Sequence, residues 1–434
     1  MHSVLMSKLI PYLYKLKSSK EFSDIFYLLI LQGVNYISPL VIIPYLMVVL
    51  GAEKYGYVGF SISFLSYFVL FVDFGFGLSA TKRIAIAKEQ SKEALSKIFF
   101  STLYSKLALL VISTALFLIL SFCIPQFKKY QITMLCTYPM LIGNAVTFSW
   151  LYQGIGKIKV FSLINTISKL LIIPLTFILV KTAQDYNTAA FLQSFVFVLA
   201  GVISIFHLIQ MRIISYCKVS FMDIKIEMKE SLPLFLSGVA TSMYTQLFTV
   251  ILGVVATPNV VGRYSAAERI MRSLCFVLYT PISLAFYPKM VSLAAVDRAA
   301  ARKLLKKLLH CVSGIMFSIW GILFFFSDMI SNLLGRDYEE ISNILKIMAF
   351  APLAIGLGGI LGQMGLIAMG NSKTKRDFQI VYFIVAPISL LLVTILTSFF
   401  IEIGAAIALL LTEYLVLILM IYFNKKHLSM NINS

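Results

Sequence analysis

The run KLALLVISTALFLILSFC, Lys106–Cys123, carries a charge at its first residue and none afterwards. As an α-helix rising about 1.5 Å per residue it is about 27 Å long, close to the thickness of a bilayer's hydrocarbon core. Leucine, isoleucine and phenylalanine fall on every side of that helix, so it has no polar stripe to turn toward water. Extended to residues 98–124 it reads as a transmembrane span. Eleven further runs of spanning length surround it, at 25–50, 57–79, 131–153, 160–181, 188–211, 232–256, 263–287, 308–327, 341–369, 378–400 and 403–423.

The bulk composition agrees. The 434 residues are 59% hydrophobic and only 13% charged, whereas soluble domains carry about 45–50% apolar and about 25% charged residues. Mean hydropathy is +0.90. A net charge of +18 would point to nucleic acid in a soluble chain. Here the basic residues sit between the apolar runs, alternate connections are rich and poor in them, and no solvated basic face exists, so nucleic acid is excluded as a partner. Twenty-six of the 37 Lys and Arg lie in the two termini and the even-numbered connections. Only Lys54, Lys128, Lys129, Lys181, Arg263 and Arg336 lie in the odd ones. Basic connections stay in the cytoplasm, which predicts an even number of spans with both termini inside. The four lysines before the first apolar run precede no small-residue cleavage site, so residues 1–24 read as a retained cytoplasmic segment.

Short connections leave no room for an extramembrane catalytic domain. The longest, 80–97, 212–231 and 289–307, are basic and partly apolar, as segments lying on an anionic lipid surface are. Five cysteines without a CxxC pair and four histidines without an HExxH spacing give no metal or redox centre. No Walker A sequence occurs, no catalytic residue is assigned and no cofactor is expected.

Two segments recur six spans apart. LGAEKYGYVGFS from Leu50 is echoed by LGVVATPNVVGRYSAAE from Leu252, and YQGIGKIKVF from Tyr152 by LIAMGNSKTKRDF from Leu366. Six spans preserve orientation, so this is a parallel repeat about an axis along the membrane normal. The expected architecture is all-α: an N-lobe over 25–211, a cytoplasmic linker over 212–231, a C-lobe over 232–423 and a tail over 424–434. Pseudo-two-fold symmetry relates the six-helix lobes around a central cavity, an arrangement suited to alternating access.

Charges inside the spans mark that cavity, because a charge near the bilayer centre costs at least about 2.5–3.5 kcal/mol. The cations are Lys106, Lys169, Arg269, Arg272 and Lys346; the acids are Asp73, Glu268 and Glu413. Lys169 is about 15 Å deep, Arg272 similarly deep, and Lys106 about 12 Å deep, whereas Lys346 is close enough to a surface to snorkel. Arg269 and Arg272 are three residues apart and share a helix side; guanidinium forks suit phosphate oxygens. Arg269, Arg272, Lys169 and Lys106 are therefore the expected substrate contacts, a cationic wall. Glu268 and Arg272 are also placed to pair, and Asp73 lies where Lys82 or Arg83 would neutralise it. Asp73, Glu268 and Glu413 are candidates for ion coupling or charge pairing. Tyr244, Gln246 and Asn165 are candidate specificity residues. Pro39, Pro44, Pro139, Pro174, Pro281, Pro352 and Pro387 predict kinks, and the GLGG run at Gly356–Gly359 predicts close helix packing or a bending point.

Four segments carry a family likeness: LQGVNYISPLVIIPYLMVVLGAEKYG (Leu31–Gly56), VDFGFGLSATKR (Val72–Arg83), WLYQGIGKIKVF (Trp150–Phe161) and VVGRYSAAERI (Val260–Ile270). In order and at this chain length they resemble the O-antigen flippases (Wzx type) of the multidrug, oligosaccharidyl-lipid and polysaccharide exporter superfamily. Similar sequences carry Arg where this chain has Val48, and Asn where it has Gly77. The resemblance implies a bacterial inner-membrane protein that moves an undecaprenyl-diphosphate-linked oligosaccharide to the periplasmic leaflet. It also implies membrane lipids, a polysaccharide polymerase and a chain-length regulator as partners. Fixed cations along a wet cavity would remove the cost of placing a diphosphate in hydrocarbon. The membrane potential favours its outward movement by about 2.3 kcal/mol per charge per 100 mV. The alternatives are a drug antiporter of the same architecture, a lipid II flippase, and a membrane polymerase or acyltransferase. The antiporter would favour an acidic lumen, the lipid II group usually has extra C-terminal spans, and the polymerase type usually has a large periplasmic loop.

Overall fold

The computed structural model describes residues 20–430; for 20–37, 428–430, Ser237, Thr241, Met243, Tyr244 and Ser372 it describes the backbone alone. The segment 1–24 therefore falls largely outside the described residues. Every regular element among them is helical. In chain order these are α1 (Lys20–Asp73), α2 (Phe76–Ala87), α3 (Lys92–Cys123), α4 (Gln131–Thr137), α5 (Pro139–Val146), α6 (Ser149–Gly154), α7 (Ile158–Leu179) and α8 (Tyr186–Met211). There follow α9 (Phe221–Val255), α10 (Pro258–Val296), α11 (Arg298–Phe325), α12 (Ser327–Leu334), α13 (Ile341–Met348), α14 (Ala351–Ile360) and α15 (Ser372–Met430), with a π-helical segment at Leu361–Ala368.

Nine helical stretches among the described residues are long and apolar enough to cross a membrane, ten if the bent pair Phe221–Ala240 and Thr245–Val255 is one span. Two of them are folded double. α1 leaves helical geometry at Gly51, with φ 68 and ψ 170. Pro39 and Ser66, on either side of that break, line one cavity, whereas in a straight helix they would be about 40 Å apart. α15 breaks at Ile401, and Asp377 and His427 from its two arms are joined at 2.6 Å. Ile401 adopts φ 50, a left-handed conformation that a β-branched residue reaches only at a cost. The sequence reading of separate spans on either side of residues 51 and 401 is matched by these turns.

The prolines act less uniformly than expected. Pro139 and Pro352 stand in the first turns of α5 and α14, where a missing N–H is harmless. Pro39, Pro44, Pro174, Pro281 and Pro387 lie inside continuous helices. The expected span at 131–153 lies within one membrane-spanning stretch, Pro125–Gly154, interrupted between α4, α5 and α6, the first interruption falling at Pro139. In the GLGG run the packing reading prevails at Gly359, where an added Cβ would stand 2.7 Å from the Tyr279 hydroxyl.

The buried core is continuous from α1 across α10 to α13. Outward faces carry exposed Val111, Phe122, Leu391 and Phe399, as lipid-facing surfaces do. The core is held by packing and by hydroxyls bonded to carbonyls four residues back, as in Ser105 to Ser101 and Thr176 to Ile172.

Candidate functional site

Folding α1 back on itself and laying it against α9 and α10 leaves a cavity of about 680 Å³. Its walls come from Pro39 and Ile43 on the first arm of α1, Ile62, Ser63 and Ser66 on the second, and Thr245, Gln246 and Thr249 on α9. The longest wall is one side of α10, where Ser265, Glu268, Arg269, Arg272, Phe276 and Thr280 recur at helical spacing. The cavity is thus hydroxyl-rich, with three charged residues gathered on one helix.

Arg272 is bracketed by acids. Its Nε donates to Glu268 Oε1 at 2.9 Å, and Nη1 reaches Glu413 Oε1 on the far arm of α15 at 3.5 Å. Glu268 Oε2 also accepts from the Thr249 hydroxyl at 3.3 Å. Glu268 and Glu413 are buried, and Arg272 keeps 18% of its side chain exposed. Coulombic attraction is strong in so dry a setting, but so is the desolvation it must offset. The cluster ties α9, α10 and α15 together and spends most of the Arg272 charge internally. Arg269, three residues earlier, forms no ion pair among the described residues; its guanidinium lies 5.8 Å from the centroid of the Tyr55 ring. It is the cation on this wall that faces the cavity without a carboxylate partner.

This corrects the expectation of a uniformly cationic wall. Arg269, Arg272 and Glu268 meet in one cavity, with Glu413 completing the cluster, but neither Lys106 nor Lys169 is among the lining residues. Lys106 is 2% exposed and donates to Asp73 at 3.3 Å and to the Asn144 carbonyl at 3.0 Å. Asp73 was expected to meet Lys82 or Arg83; Arg83 instead pairs with Glu227 at 2.5 Å and Glu230 at 3.7 Å on α9. The reason is helical phase, since Asp73 ends α1 facing α3 and Arg83 faces α9. Lys169 stands half-buried on α7 with no carboxylate within 4 Å among the described residues. Lys346, with 37% of its side chain exposed, meets Asp328 at 3.1 Å. Of the specificity candidates, Gln246 lines the cavity, Asn165 does not, and the Tyr244 side chain lies outside the described residues. Val48 is 54% exposed, turned away from the face that Pro39 and Ile43 give the cavity.

Sequence reasoning missed the hydroxyls Ser63, Ser66, Thr245, Thr249 and Ser265. Their signal is spacing: pairs three or four residues apart on α1 and α9, and Ser265 on α10 four residues before Arg269. It also missed Arg263, assigned only to a connection, which holds Glu340 at 2.5 Å and Glu402 at 2.6 Å. No group of three or more metal-ligating side chains occurs among the described residues.

Helices this long and apolar, two of them folded double and one of those two lining a polar cavity with α9 and α10, define a membrane protein with the fold of the multidrug, oligosaccharidyl-lipid and polysaccharide exporter superfamily. An inward-facing multidrug resistance MATE family transporter of that superfamily superposes with a TM-score of 0.72 over 92% of this chain and 96% of its own, at 13% identity. The lipid II flippase MurJ, in an inward closed conformation, gives 0.68 over 91% and 87%, at 18% identity.

The chain belongs to the polysaccharide biosynthesis protein family, which it matches over residues 22–294. The protein named "Putative O-antigen transporter" from Escherichia coli (strain K12) is 34% identical over 402 residues, 92% of this chain and 95% of that one. Its namesake from Shigella dysenteriae is 30% identical over 410 residues, 92% and 98%.

Proposed function

We propose that this chain is a flippase that carries an undecaprenyl-diphosphate-linked oligosaccharide repeat unit from the cytoplasmic to the periplasmic leaflet of the bacterial inner membrane. The observation that carries the reading is Arg269, a half-buried guanidinium without a carboxylate partner among the described residues, beside hydroxyl-bearing walls. A diphosphate needs a fixed cation and hydrogen-bond donors to leave water. The hydroxyls and Gln246 supply donors to sugar and phosphate oxygens alike, while the polyprenyl tail stays in lipid. Arg272 joins as a second phosphate contact when the substrate competes with Glu268 and Glu413 for its guanidinium. The relatives named O-antigen transporters support the substrate class.

The proposed layout is twelve crossings in two six-helix lobes, both termini cytoplasmic, joined by the linker 212–231. Alternating access moves the site between faces. A polysaccharide polymerase and a chain-length regulator would act on the delivered product. The antiporter reading is weakened because Glu268 and Glu413 are both engaged by Arg272 and so are not free to hold a cationic drug.

The test is the leaflet location of the lipid-linked oligosaccharide in a deletion strain, probed by periplasmic accessibility. Accumulation facing the cytoplasm, relieved by the wild-type chain and not by Arg269→Ala, is the expected result. Unpolymerised oligosaccharide already reaching the periplasm would place the protein after flipping and overturn the proposal.

A further inference from the structure

A second cavity, of about 370 Å³, lies between α11, α14 and α15. On α11, Arg302, Leu305, Lys306 and Leu309 line it, positions three or four apart and so on one side of the helix. α14 and the start of the π segment give Leu357 and Leu361, again four apart. The last arm of α15 gives Leu417, Ile421 and Lys425 at four-residue steps. Each of the three helices thus contributes a ladder of leucine or isoleucine. On two of them the ladder ends in cations: Arg302 and Lys306 on α11, Lys425 on α15. From Leu417 to Lys425 the ladder is about 12 Å long.

Asn424 also lines the cavity, and its side-chain amide donates to the Leu361 carbonyl at 3.1 Å and the Met420 carbonyl at 2.8 Å. The Leu361 carbonyl stands where the α-helical ladder gives way to the π segment, and Asn424 satisfies it. No carboxylate lines the groove, and the nearby Asp377 is engaged by His427 at 2.6 Å. Among the described residues Arg302, Lys306 and Lys425 form no ion pair. An apolar slot lined by the aliphatic stems of three cationic side chains, with no carboxylate among its lining residues, is complementary to a molecule with a hydrocarbon chain in the slot and an anionic head at its rim.

We propose that this groove is a binding site for one anionic phospholipid of the surrounding bilayer, its phosphate held by Arg302, Lys306 and Lys425 and an acyl chain laid along the leucine ladders. The site is separate from the central cavity and stands whether or not that cavity carries oligosaccharide.

Native mass spectrometry of the purified full-length chain, offered phosphatidylglycerol and phosphatidylcholine of equal chain length, tests it. The expected result is one phosphatidylglycerol retained in preference to phosphatidylcholine. The combined variant Arg302→Gln, Lys306→Gln, Lys425→Gln should weaken retention on the order of a hundredfold. A control removing as many charges off the groove, Lys289→Gln, Lys303→Gln, Lys307→Gln, should change it less than about threefold. Leu309→Trp, which fills the slot without altering charge, should also release the lipid, and it serves if the triple variant fails to fold by size-exclusion profile. Equal retention of the two lipids, or equal loss in the control, overturns the proposal. Displacement of phosphatidylglycerol by a polyprenyl phosphate at equal concentration would also overturn it and assign the groove to the tail of the transported molecule.

Discussion

Gly56 and Gly262 lie against each other at the crossing of α1 and α10, and their contact is reciprocal. A Cβ added at Gly56 would overlap the Pro258 carbonyl, four residues before Gly262, and a Cβ added at Gly262 would overlap the Ala52 carbonyl, four before Gly56. Both glycines lie in the repeated segments, Gly56 six residues after Leu50 and Gly262 ten residues after Leu252. Backbone meets backbone here, as small residues permit between membrane helices.

Gly262→Ala and Gly56→Ala should therefore each spread the crossing, at about 1–3 kcal/mol for overpacking. Spin labels at Lys54→Cys and Asn259→Cys should report a longer mean distance, and transport should fall about tenfold or more. An unchanged distance distribution would show that the crossing tolerates a side chain.

Arg272 and Arg269 should fail differently when truncated. Arg272→Ala leaves Glu268 and Glu413 buried without their cation, a loss of about 3–5 kcal/mol by analogy with broken buried pairs. Folded protein, measured by fluorescence-detected size exclusion, should drop. Adding Glu268→Gln and Glu413→Gln should restore it without restoring transport.

Arg269→Ala strands no carboxylate among the described residues. It should leave folded protein at the wild-type level and abolish surface polysaccharide, with Arg269→Lys retaining more function than Ala. Normal polysaccharide in the Ala variant would remove Arg269 from the substrate path.

Lys106 and Asp73 should behave as a structural pair. Lys106→Met leaves Asp73 without its cation and the Asn144 carbonyl without its donor, and should lower thermal stability. Lys106→Met with Asp73→Asn should recover part of the loss, by a coupling on the order of 1–3 kcal/mol in a double-mutant cycle. Zero coupling would return Lys106 to the transport pathway.

Ile401→Gly relieves a left-handed conformation that costs about 1–3 kcal/mol, against about 0.5–1 kcal/mol for glycine's extra unfolded freedom. Ile401 is 48% exposed, so little packing is lost. The melting temperature in detergent should rise by a few degrees; a fall would mean that the Ile401 side chain holds the turn by contact.

Much of this molecule was legible in the residues alone. Runs such as Lys106–Cys123 cannot face water on any side, so membrane insertion and helicity follow from local composition. The repeat at Leu50 and Leu252 marked the two segments that meet, and the four-residue spacing of Glu268 and Arg272 predicted their pair, because neighbours on one helix are fixed by its pitch. What joins different helices was not legible. That Glu413 reaches Arg272 from α15, that Asp73 answers Lys106 and not Arg83, that Arg263 clasps Glu340 and Glu402, and that Arg269 has no carboxylate partner among the described residues all depend on helix rotation and crossing. Those are decided by how ridges and small residues pack along the full length of the bundle. The sequence by itself determined which charges had to be hidden from lipid; only the tertiary structure decided which of them neutralise one another and which stays available to a ligand.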